Sequence, residues 1–530
     1  MKKILCCLLV LSLFCVGCVT AQPAATTTLI ELSDDGITVD GKPASESADS
    51  AVYIAHDIAY YEDKESYESG NPYGEGTEDE RHTQAQADAH TVVHITKAGD
   101  YHVTGTLSQG QIFIGLGEDA EDDETAVVNL ILDNADITCS VAPAIVFRNV
   151  YECGDKDNAQ AEVSTQKAGA NLILAQNSVN HITGSHVAKI FEDNAEEEKL
   201  LKMDGAIYSY QSMNVDGSGE LYLVADNEGL DTEMHLTING GYLRIVSQND
   251  GINTNEDGVS VTTINDGDIR ILAGLGEEGD GIDSNGWIVI NGGTLITAAN
   301  PAADTGLDCD MGTQIFGGTV LALGSAMDGA EAAADQPVLN LRFAQGFDSS
   351  SPIVIENQSS EAVFAYDLAC DQTLNQAQRN YTSAIFSSPD VKQGDELTIY
   401  TDAVIQGSHL DGLYESIISH ANGTALSHGG AGSMMGMGGM RPDMGNMQMP
   451  EGEALEIPEG IQMPQEAIRP NGDIPEPSEG MEETERPQMP EGMQQGEPPE
   501  GFEQEQMPME GETSSIFLID SLNCIFNNVE

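Results

Sequence analysis

Four copies of one short block decide the fold of this chain. They read Glu228-Gly229-Leu230-Asp231-Thr232-Glu233, Asp250-Gly251-Ile252-Asn253-Thr254-Asn255, Asp280-Gly281-Ile282-Asp283-Ser284-Asn285 and Thr305-Gly306-Leu307-Asp308-Cys309-Asp310. Weaker copies flank them at Asp204-Gly205 and Asp328-Gly329, and successive glycines of the series lie 22 to 30 residues apart. A second block, such as Val289-Ile290-Asn291-Gly292-Gly293-Thr294-Leu295, recurs between them with a similar period.

A repeat of this length, built from short alternating runs with no helical stretch, is typical of a β-solenoid. Each rung can bury its inner side chains only against neighbouring rungs, and Ile252, Ile282 and Leu307 provide such side chains. The sequence therefore predicts an all-β fold, a right-handed parallel β-helix over residues 91–425. Residues 22–90 are predicted to form an N-terminal segment and cap.

When the four copies are aligned on their glycines, oxygen-bearing side chains occupy three positions, those of Glu228, Asp231 and Glu233 in the first copy. We call these three aligned positions the columns. Carboxylates stacked about 4.8 Å apart in a parallel sheet repel one another, and a hard cation with oxygen ligands relieves that repulsion. We therefore expect Ca²⁺ as a cofactor. The predicted ligands are Glu228, Asp231, Glu233, Asp250, Asn253, Asn255, Asp280, Asp283, Asn285, Asp308 and Asp310. The alternative is turn chemistry alone, since Asp, Asn and Gly favour turns and stacked Asn side chains bond to each other.

The N-terminus has the features of an export signal. Lys2 and Lys3 precede the apolar run 4–16, which is too short to span a bilayer, so residues 1–21 are predicted to be a signal peptide. The segment ending in Gly17-Cys18 resembles a bacterial lipobox, which predicts lipidation of Cys18; ordinary cleavage after Ala21 is the alternative. Either form of processing predicts an extracellular protein, on the cell surface if it is lipidated.

The C-terminal part changes composition. Residues 426–512 are rich in Gly, Met, Pro and Glu, and such a stretch cannot bury enough apolar area to fold, so it is predicted to be disordered. Residues 513–530 again read as a short strand. Five cysteines follow the leader; none forms a C-x-x-C pair, which argues against zinc, and Cys139 and Cys153 are one conceivable disulfide.

The formal charge of −68 excludes several classes of partner. Sequence-independent binding to nucleic acid, or to an anionic lipid surface, needs a basic patch that this chain lacks. No apolar run after the leader is long enough for a membrane helix, so a lipid anchor at the N-terminus is the most membrane contact expected.

Two further stretches, Val92-Val93-His94-Ile95-Thr96-Lys97-Ala98-Gly99-Asp100-Tyr101 and Leu130-Ile131-Leu132-Asp133-Asn134-Ala135-Asp136-Ile137, together with the repeats, resemble the bacterial carbohydrate-binding domain-containing proteins. The resemblance runs from about residue 29 to residue 424. It implies a calcium-containing parallel β-helix similar to pectate lyases and binding of plant or cell-wall polysaccharide, of the pectin, polygalacturonate or cellulose type.

Three functions remain open at this point. The first is a non-catalytic, calcium-dependent polysaccharide-binding protein, the second a polysaccharide lyase acting on uronate polymers, and the third a structural surface adhesin. Lyase chemistry needs a strong base, yet no lysine lies between Gly205 and Gly329. The predicted carbohydrate-binding residues are Arg244, Arg270, Tyr242 and Trp287. The arginines have an alternative role, as partners of neighbouring Asp and Glu.

Overall fold

The computed structural model describes residues 27–62, 74–191, 199–325, 329–429 and 513–530. Within these ranges the chain is almost entirely β-structure, which confirms the predicted all-β class. The one α-helix in them is Gln84–Asp88, which begins at a capping box between Thr83 and Gln86. Short 3₁₀ turns lie at Ala120–Asp122, Leu368–Cys370 and Leu374–Gln376.

The repeats stack into three ladders of strands. Ladder 1 consists of Val52–Ala55, Thr91–Ile95, Gly110–Gly115, Ile145–Asn149, Gly205–Ser209, Glu228–Thr232, Ile252–Thr254 and Ile282–Ser284. All neighbours in it are parallel except the first pair. A parallel bridge from Ile282 to Leu307 continues it by one rung.

Ladders 2 and 3 share their first long strands, Gly99–Leu107 and Val128–Thr138, and then separate. Ladder 2 continues through Ala170–Leu174, Met213–Gly217, Leu236–Ile238, Val261–Ile264, Trp287–Ile290, Gly312–Ile315 and Ala330–Ala332. Ladder 3 continues through Val179–Gly184, Glu220–Ala225, Tyr242–Ser247, Asp268–Leu272, Thr294–Ala298 and Thr319–Gly324. Thr28–Leu32 pairs in parallel with Gly99–Leu107, and the short strands Thr38–Val39 and Lys42–Pro43 follow it.

The register between rungs follows the repeat found in the sequence. Leu230 pairs with Ile252, and Ile252 pairs with Ile282, so the residue after each glycine stacks on its counterpart in the next rung. These side chains are fully buried in the main core, together with Ile238 and Ile264 of ladder 2. Stacking of one apolar column on the next is what stabilises a fold whose single rungs cannot bury their inner faces.

Antiparallel strands follow the parallel rungs. Asn380–Ser387 pairs with Thr319–Gly324 and with Val338–Asp348, and Asn523–Val529 adds to Val338–Asp348 in parallel. A second sheet contains Val404–Leu410, Leu413–Ala421, Ala362–Tyr366, Ile353–Glu356, Glu396–Thr401 and Thr424–Ala425, with Phe517–Leu518 beside it. The parallel ladders thus end near residue 332, earlier than the boundary at 425 that the sequence predicted, because the aperiodic part turns back on ladder 3.

A second hydrophobic core explains why the C-terminal part packs against ladder 3. Leu272, Ile296 and Leu321 of ladder 3 are buried against residues such as Phe364 and Phe386 of the C-terminal part. Two further strand pairs are Val187–Phe191 with Lys199–Met203 and His428–Gly429 with Thr513–Ser514.

Several sequence predictions fall outside this description or are corrected by it. The predicted signal peptide and nearly all of the predicted disordered region lie outside the described residues. The predicted C-terminal strand region contains Asn523–Val529. Cys139 and Cys153 are both free thiols, so the conceivable disulfide between them is absent. Among the described residues, no helix is long and apolar enough to cross a bilayer.

Candidate functional site

A cluster of three carboxylates lies on ladder 1 where two rungs meet. Asp204 and Glu228 precede the glycines of successive rungs, and Asp231 lies three residues after Glu228, on the same strand. One carboxylate oxygen from each lies within 4.8 Å of the others. All three side chains are buried, and Asp231 is completely so. We call these three residues the acidic cluster.

Two oxygens of the acidic cluster are without a hydrogen-bond donor. Asn253 Nδ2 donates to Glu228 Oε1 at 3.2 Å, and Asn255 Nδ2 donates to Asp231 Oδ1 at 2.7 Å. Within the described residues no donor reaches Glu228 Oε2, Asp231 Oδ2 or the amide oxygen of Asn253. Buried polar atoms are rarely left without partners, because each costs about 1–3 kcal/mol. The acidic cluster and the adjoining Asn253 thus contain buried oxygens that a cation could satisfy.

The electrostatics of the acidic cluster are unfavourable without a counter-charge. Burial, and then the neighbouring charges of Asp231 and Asp204, raise the pKa of Glu228 well above its usual range. Burial and the charge of Asp204 likewise raise the pKa of Asp231 well above its usual range. Carboxylates with such pKa values are common where a cation binds or catalysis takes place.

A lysine that the sequence analysis did not consider lies beside the cluster. Lys202, on the strand Lys199–Met203, forms an ion pair with Asp204. Burial lowers the pKa of Lys202, but the charge of Asp204, the hydrogen bond to it and the charges of Glu228 and Asp231 together outweigh burial and raise this pKa. Lys202 falls just outside the repeat region searched for a base, and no sequence periodicity connects it with the columns.

The other predicted calcium ligands divide into two groups. Asp250 and Asp280 each accept a backbone N–H from the next rung, from Asp280 and Thr305 respectively, both at 2.6 Å. Burial is the main cause that raises the pKa of Asp250 to about 7 and of Asp280 to about 8. These hydrogen bonds connect successive rungs through one oxygen of each carboxylate.

The remaining predicted ligands belong to the same columns and become more exposed along the stack. Asn253 pairs in register with Asp231 and with Asp283. Exposure increases along the stack, from the fully buried Asp231 to the half-buried Asp283 and Asp308 and the exposed Asp310. Burial raises the pKa of Asp283 to about 6. The last ligands contact neighbours: Tyr208 donates to Glu233, and Asn285 donates to the Asn255 carbonyl at 2.7 Å.

Arg244 and Arg270 pair in register on adjacent rungs of ladder 3, and both are buried. Arg244 contacts Asp411 at 2.7 Å and Asp268 at 2.9 Å. Arg270, with no exposed side-chain surface, contacts Asp268 at 2.9 Å and the equally buried Asp371 at 3.2 Å. The guanidinium groups thus join the rungs to the C-terminal part, as in the alternative of acidic partners, and they are not accessible to a polymer.

The two aromatic residues predicted to bind carbohydrate lie on different ladders. Tyr242 begins a strand of ladder 3, is 36% exposed, and has the guanidinium carbon of Arg244 5.3 Å from its ring centre. Trp287 begins a strand of ladder 2 and is half-buried. Because Ile288 and Ile290 of this strand lie in the core, alternation places Trp287 on the outer face. The two aromatics therefore do not form one platform.

Part of this chain is similar to known proteins. The chain matches the family model described as carbohydrate-binding domain-containing protein over residues 89–384. A carbohydrate-binding domain-containing protein of Acetivibrio thermocellus is 30% identical over 154 residues, which are 29% of this chain and 44% of that protein. The chain thus matches less than half the length of this relative.

A solved structure, a gadolinium derivative of the polysaccharide lyase-like protein from C. thermocellum, aligns with a TM-score of 0.34 and 19% identity. The alignment covers 55% of this chain and 97% of that one. Since the family model covers more than half of its residues, the chain belongs to the carbohydrate-binding domain-containing protein family.

Proposed function

We propose that this chain is an exported, cell-surface polysaccharide-binding protein whose right-handed parallel β-helix is stabilised by Ca²⁺. The observation that carries the proposal is the acidic cluster, in which buried carboxylate oxygens lack donors within a chain of the carbohydrate-binding family. Export and attachment through Cys18 are proposed from the leader sequence, and the pectin, polygalacturonate or cellulose class of ligand from the family resemblance.

The donor set of the acidic cluster fits calcium better than a transition metal. Its ligands are carboxylates, and the unpaired amide oxygen of Asn253 is a further oxygen ligand nearby. Ca²⁺ binds carboxylate and amide oxygens in flexible geometry, whereas zinc sites are usually built with His or Cys. Asp204, Glu228 and Asp231 would hold the ion, which would supply the counter-charge that the cluster needs.

The burial of the acidic cluster supports a structural role for the proposed calcium ion. Asp231 is fully buried and Glu228 is 5% exposed, so an ion between them is out of reach of a polymer. It would connect two successive rungs, because Asp204 and Glu228 precede the glycines of adjacent strands. Bridging to a uronate carboxylate would have to use the more exposed end of the columns, at Asp283, Asp308 and Asp310.

The test is retention of the full chain on insoluble cellulose and on cross-linked polygalacturonate, with calcium and after chelation. We expect binding to at least one polymer at a temperature where the calcium-loaded protein is folded. Asp231→Asn should be retained on the polymer only under conditions in which it remains folded. Asp35→Asn has the same charge change at an exposed site and should be retained like the wild type. Failure to retain the folded wild type on either polymer would contradict polysaccharide binding and favour an adhesin or spacer.

A second candidate function is a polysaccharide lyase, and Lys202 is the lysine that lies beside the acidic cluster. Elimination from a uronate requires a base, so Lys202 would have to lose a proton that the surrounding carboxylates stabilise by raising its pKa. Incubation with polygalacturonate and Ca²⁺ should yield ultraviolet-absorbing unsaturated uronides if this is correct, and Lys202→Met should abolish them. No product from the folded wild type would leave binding as the function.

A further inference from the structure

A polar groove follows the outer face of ladder 2. It has a volume of about 430 Å³. It is lined by Val163, Ser164, Thr165, Gln166, Asn171, Asn214, Asp216, Thr237, Asn239, Thr263, Asn265 and Asn291. The lining residues of ladder 2 come from five successive rungs, so the groove is elongated along the stack. We call it the ladder 2 groove.

One side of the groove is a row of exposed asparagines. Asn265 Nδ2 donates to Asn239 Oδ1 at 2.8 Å, and Asn291 Nδ2 donates to Asn265 Oδ1 at 2.8 Å. An amide has two N–H donors and an oxygen with two lone pairs, so each of these bonds uses half of each group's capacity. The row therefore presents repeated donors and acceptors to the solvent in an orientation that the neighbouring amides fix.

Another part of the lining, residues 163–166, is a loop that is anchored to the rungs. Thr165 Oγ1 lies 2.7 Å from both Asn214 Oδ1 and Thr237 Oγ1, and Asn214 Nδ2 donates to the Thr165 carbonyl at 2.8 Å. Asn214 Nδ2 also donates to Asn171 Oδ1 at 2.9 Å. These buried bonds hold the segment 163–166 in place, so little conformational entropy is lost when a ligand enters the groove.

The charge of the groove differs from that of the whole protein. The chain carries 88 acidic and 20 basic residues, yet Asp216 is the one ionisable residue among the twelve that line the groove. No lysine or arginine is among these residues to attract an anionic polymer, while the net charge repels one. Amides and hydroxyls with free hydrogen-bonding capacity suit a ligand that is neutral and densely hydroxylated.

We propose that the ladder 2 groove binds a neutral polysaccharide chain, laid along the rungs, through the amide row of Asn239, Asn265 and Asn291. This assignment rests on the proposed polysaccharide-binding function and names both the site and the ligand class. Phe316 occupies the next position of the row, since its N–H bonds to Ile290 as that of Asn291 bonds to Ile264. The half-buried ring of Phe316 and that of Trp287, on the same outer face, extend the surface available for contact with sugar rings.

The experiment measures affinity of the full, calcium-loaded chain for hydroxyethylcellulose, galactomannan and polygalacturonate in affinity gels. We expect retardation by at least one neutral polymer. Asn265→Ala removes the central amide of the row and should weaken that binding by about tenfold, because roughly two hydrogen bonds are lost. Asn239→Ala, at the end of the row, should weaken it less. Gln378→Ala, an exposed amide outside the groove, is the matched control and should leave affinity unchanged.

The outcomes separate this proposal from the proposed function. Retardation by polygalacturonate alone would overturn the neutral-ligand assignment and leave polysaccharide binding intact. Neutral binding that Asn265→Ala does not change, in a variant whose unfolding midpoint equals that of the wild type, would overturn the site. Absence of retardation by all three polymers would contradict both. If Asn265→Ala unfolds, Gln166→Ala, at an exposed residue that also lines the groove, provides the same test.

Discussion

The order of stability of the wild type and Asp231→Asn should reverse between the calcium-free and the calcium-loaded states. In the acidic cluster the three carboxylate oxygens lie within 4.8 Å, where two unit charges repel by roughly 3.5 kcal/mol at an effective dielectric constant of about 20. Asp231 takes part in two of the three pairs, and Lys202 offsets mainly Asp204. Without calcium, Asp231→Asn should therefore be as stable as the wild type or more stable.

Calcium should favour the wild type. A ligand that binds only the folded state at a hundredfold excess over its Kd stabilises by about 2.7 kcal/mol, and a variant with hundredfold weaker affinity gains only about 0.4 kcal/mol. Urea unfolding followed by far-ultraviolet circular dichroism, after exhaustive chelation and again with calcium, measures both differences. Asp35→Asn controls for nonspecific binding of calcium to this acidic chain.

Two results would rule out a stabilising calcium ion at the acidic cluster. Wild-type unfolding curves that coincide with and without calcium would show that no ion binds the folded state preferentially. An equal calcium response in Asp231→Asn and the wild type would place the ion elsewhere, for example at the more exposed end of the columns.

Three further predictions concern other parts of the molecule. Arg270→Met should cost about 3–5 kcal/mol in urea unfolding, because it leaves the fully buried Asp371 without that cation; a loss below about 1 kcal/mol would contradict the role of this pair. Burial lowers the pKa of His186, but hydrogen bonds, first to Asp226, raise it to about 9 from 6.5. The stabilisation that protonated His186 provides is therefore complete below about pH 6.5 and is lost as the pH rises through 9. The difference in the free energy of unfolding between the wild type and His186→Asn should shrink by about 3 kcal/mol across that window. An unchanged difference would show that His186 is not protonated in the fold. Trp287→Ala should weaken binding to neutral polysaccharide several-fold in affinity gels without changing the response to calcium, and unchanged binding would remove this ring from the contact surface.

The parallel ladders were predictable because the residues that form them recur at a regular spacing in the sequence. The apolar column of Leu230, Ile252 and Ile282 can be read from the sequence, and the structure stacks these residues in the expected register. The same period correctly places Asp231 beside Asn253. Periodicity fixes which residues are neighbours along the stack, since each rung repeats the last.

How deeply each residue of a column is buried was not predictable, because burial depends on segments outside the repeat. Asp231 is fully buried where Lys202 lies against its rung, whereas Asp310 at the other end of the repeats is exposed. The burial of Arg270 was equally unpredictable, since its partner Asp371 lies about a hundred residues further along the chain. Asp371 belongs to the aperiodic C-terminal part and Lys202 to the strand before the repeats, and neither segment carries a periodic pattern that predicts its contacts.

The proposal with the widest consequences is that calcium at the acidic cluster maintains the polysaccharide-binding fold. Its most direct test is the affinity of the full chain for hydroxyethylcellulose as a function of free calcium, for the wild type and Asp231→Asn, at a temperature where the calcium-free wild type is partly unfolded. The account predicts that wild-type binding rises with calcium at the same midpoint as folding, measured by circular dichroism, while Asp231→Asn shows no such rise. Binding by the wild type that is independent of calcium, or a variant that follows the same curve, would contradict it.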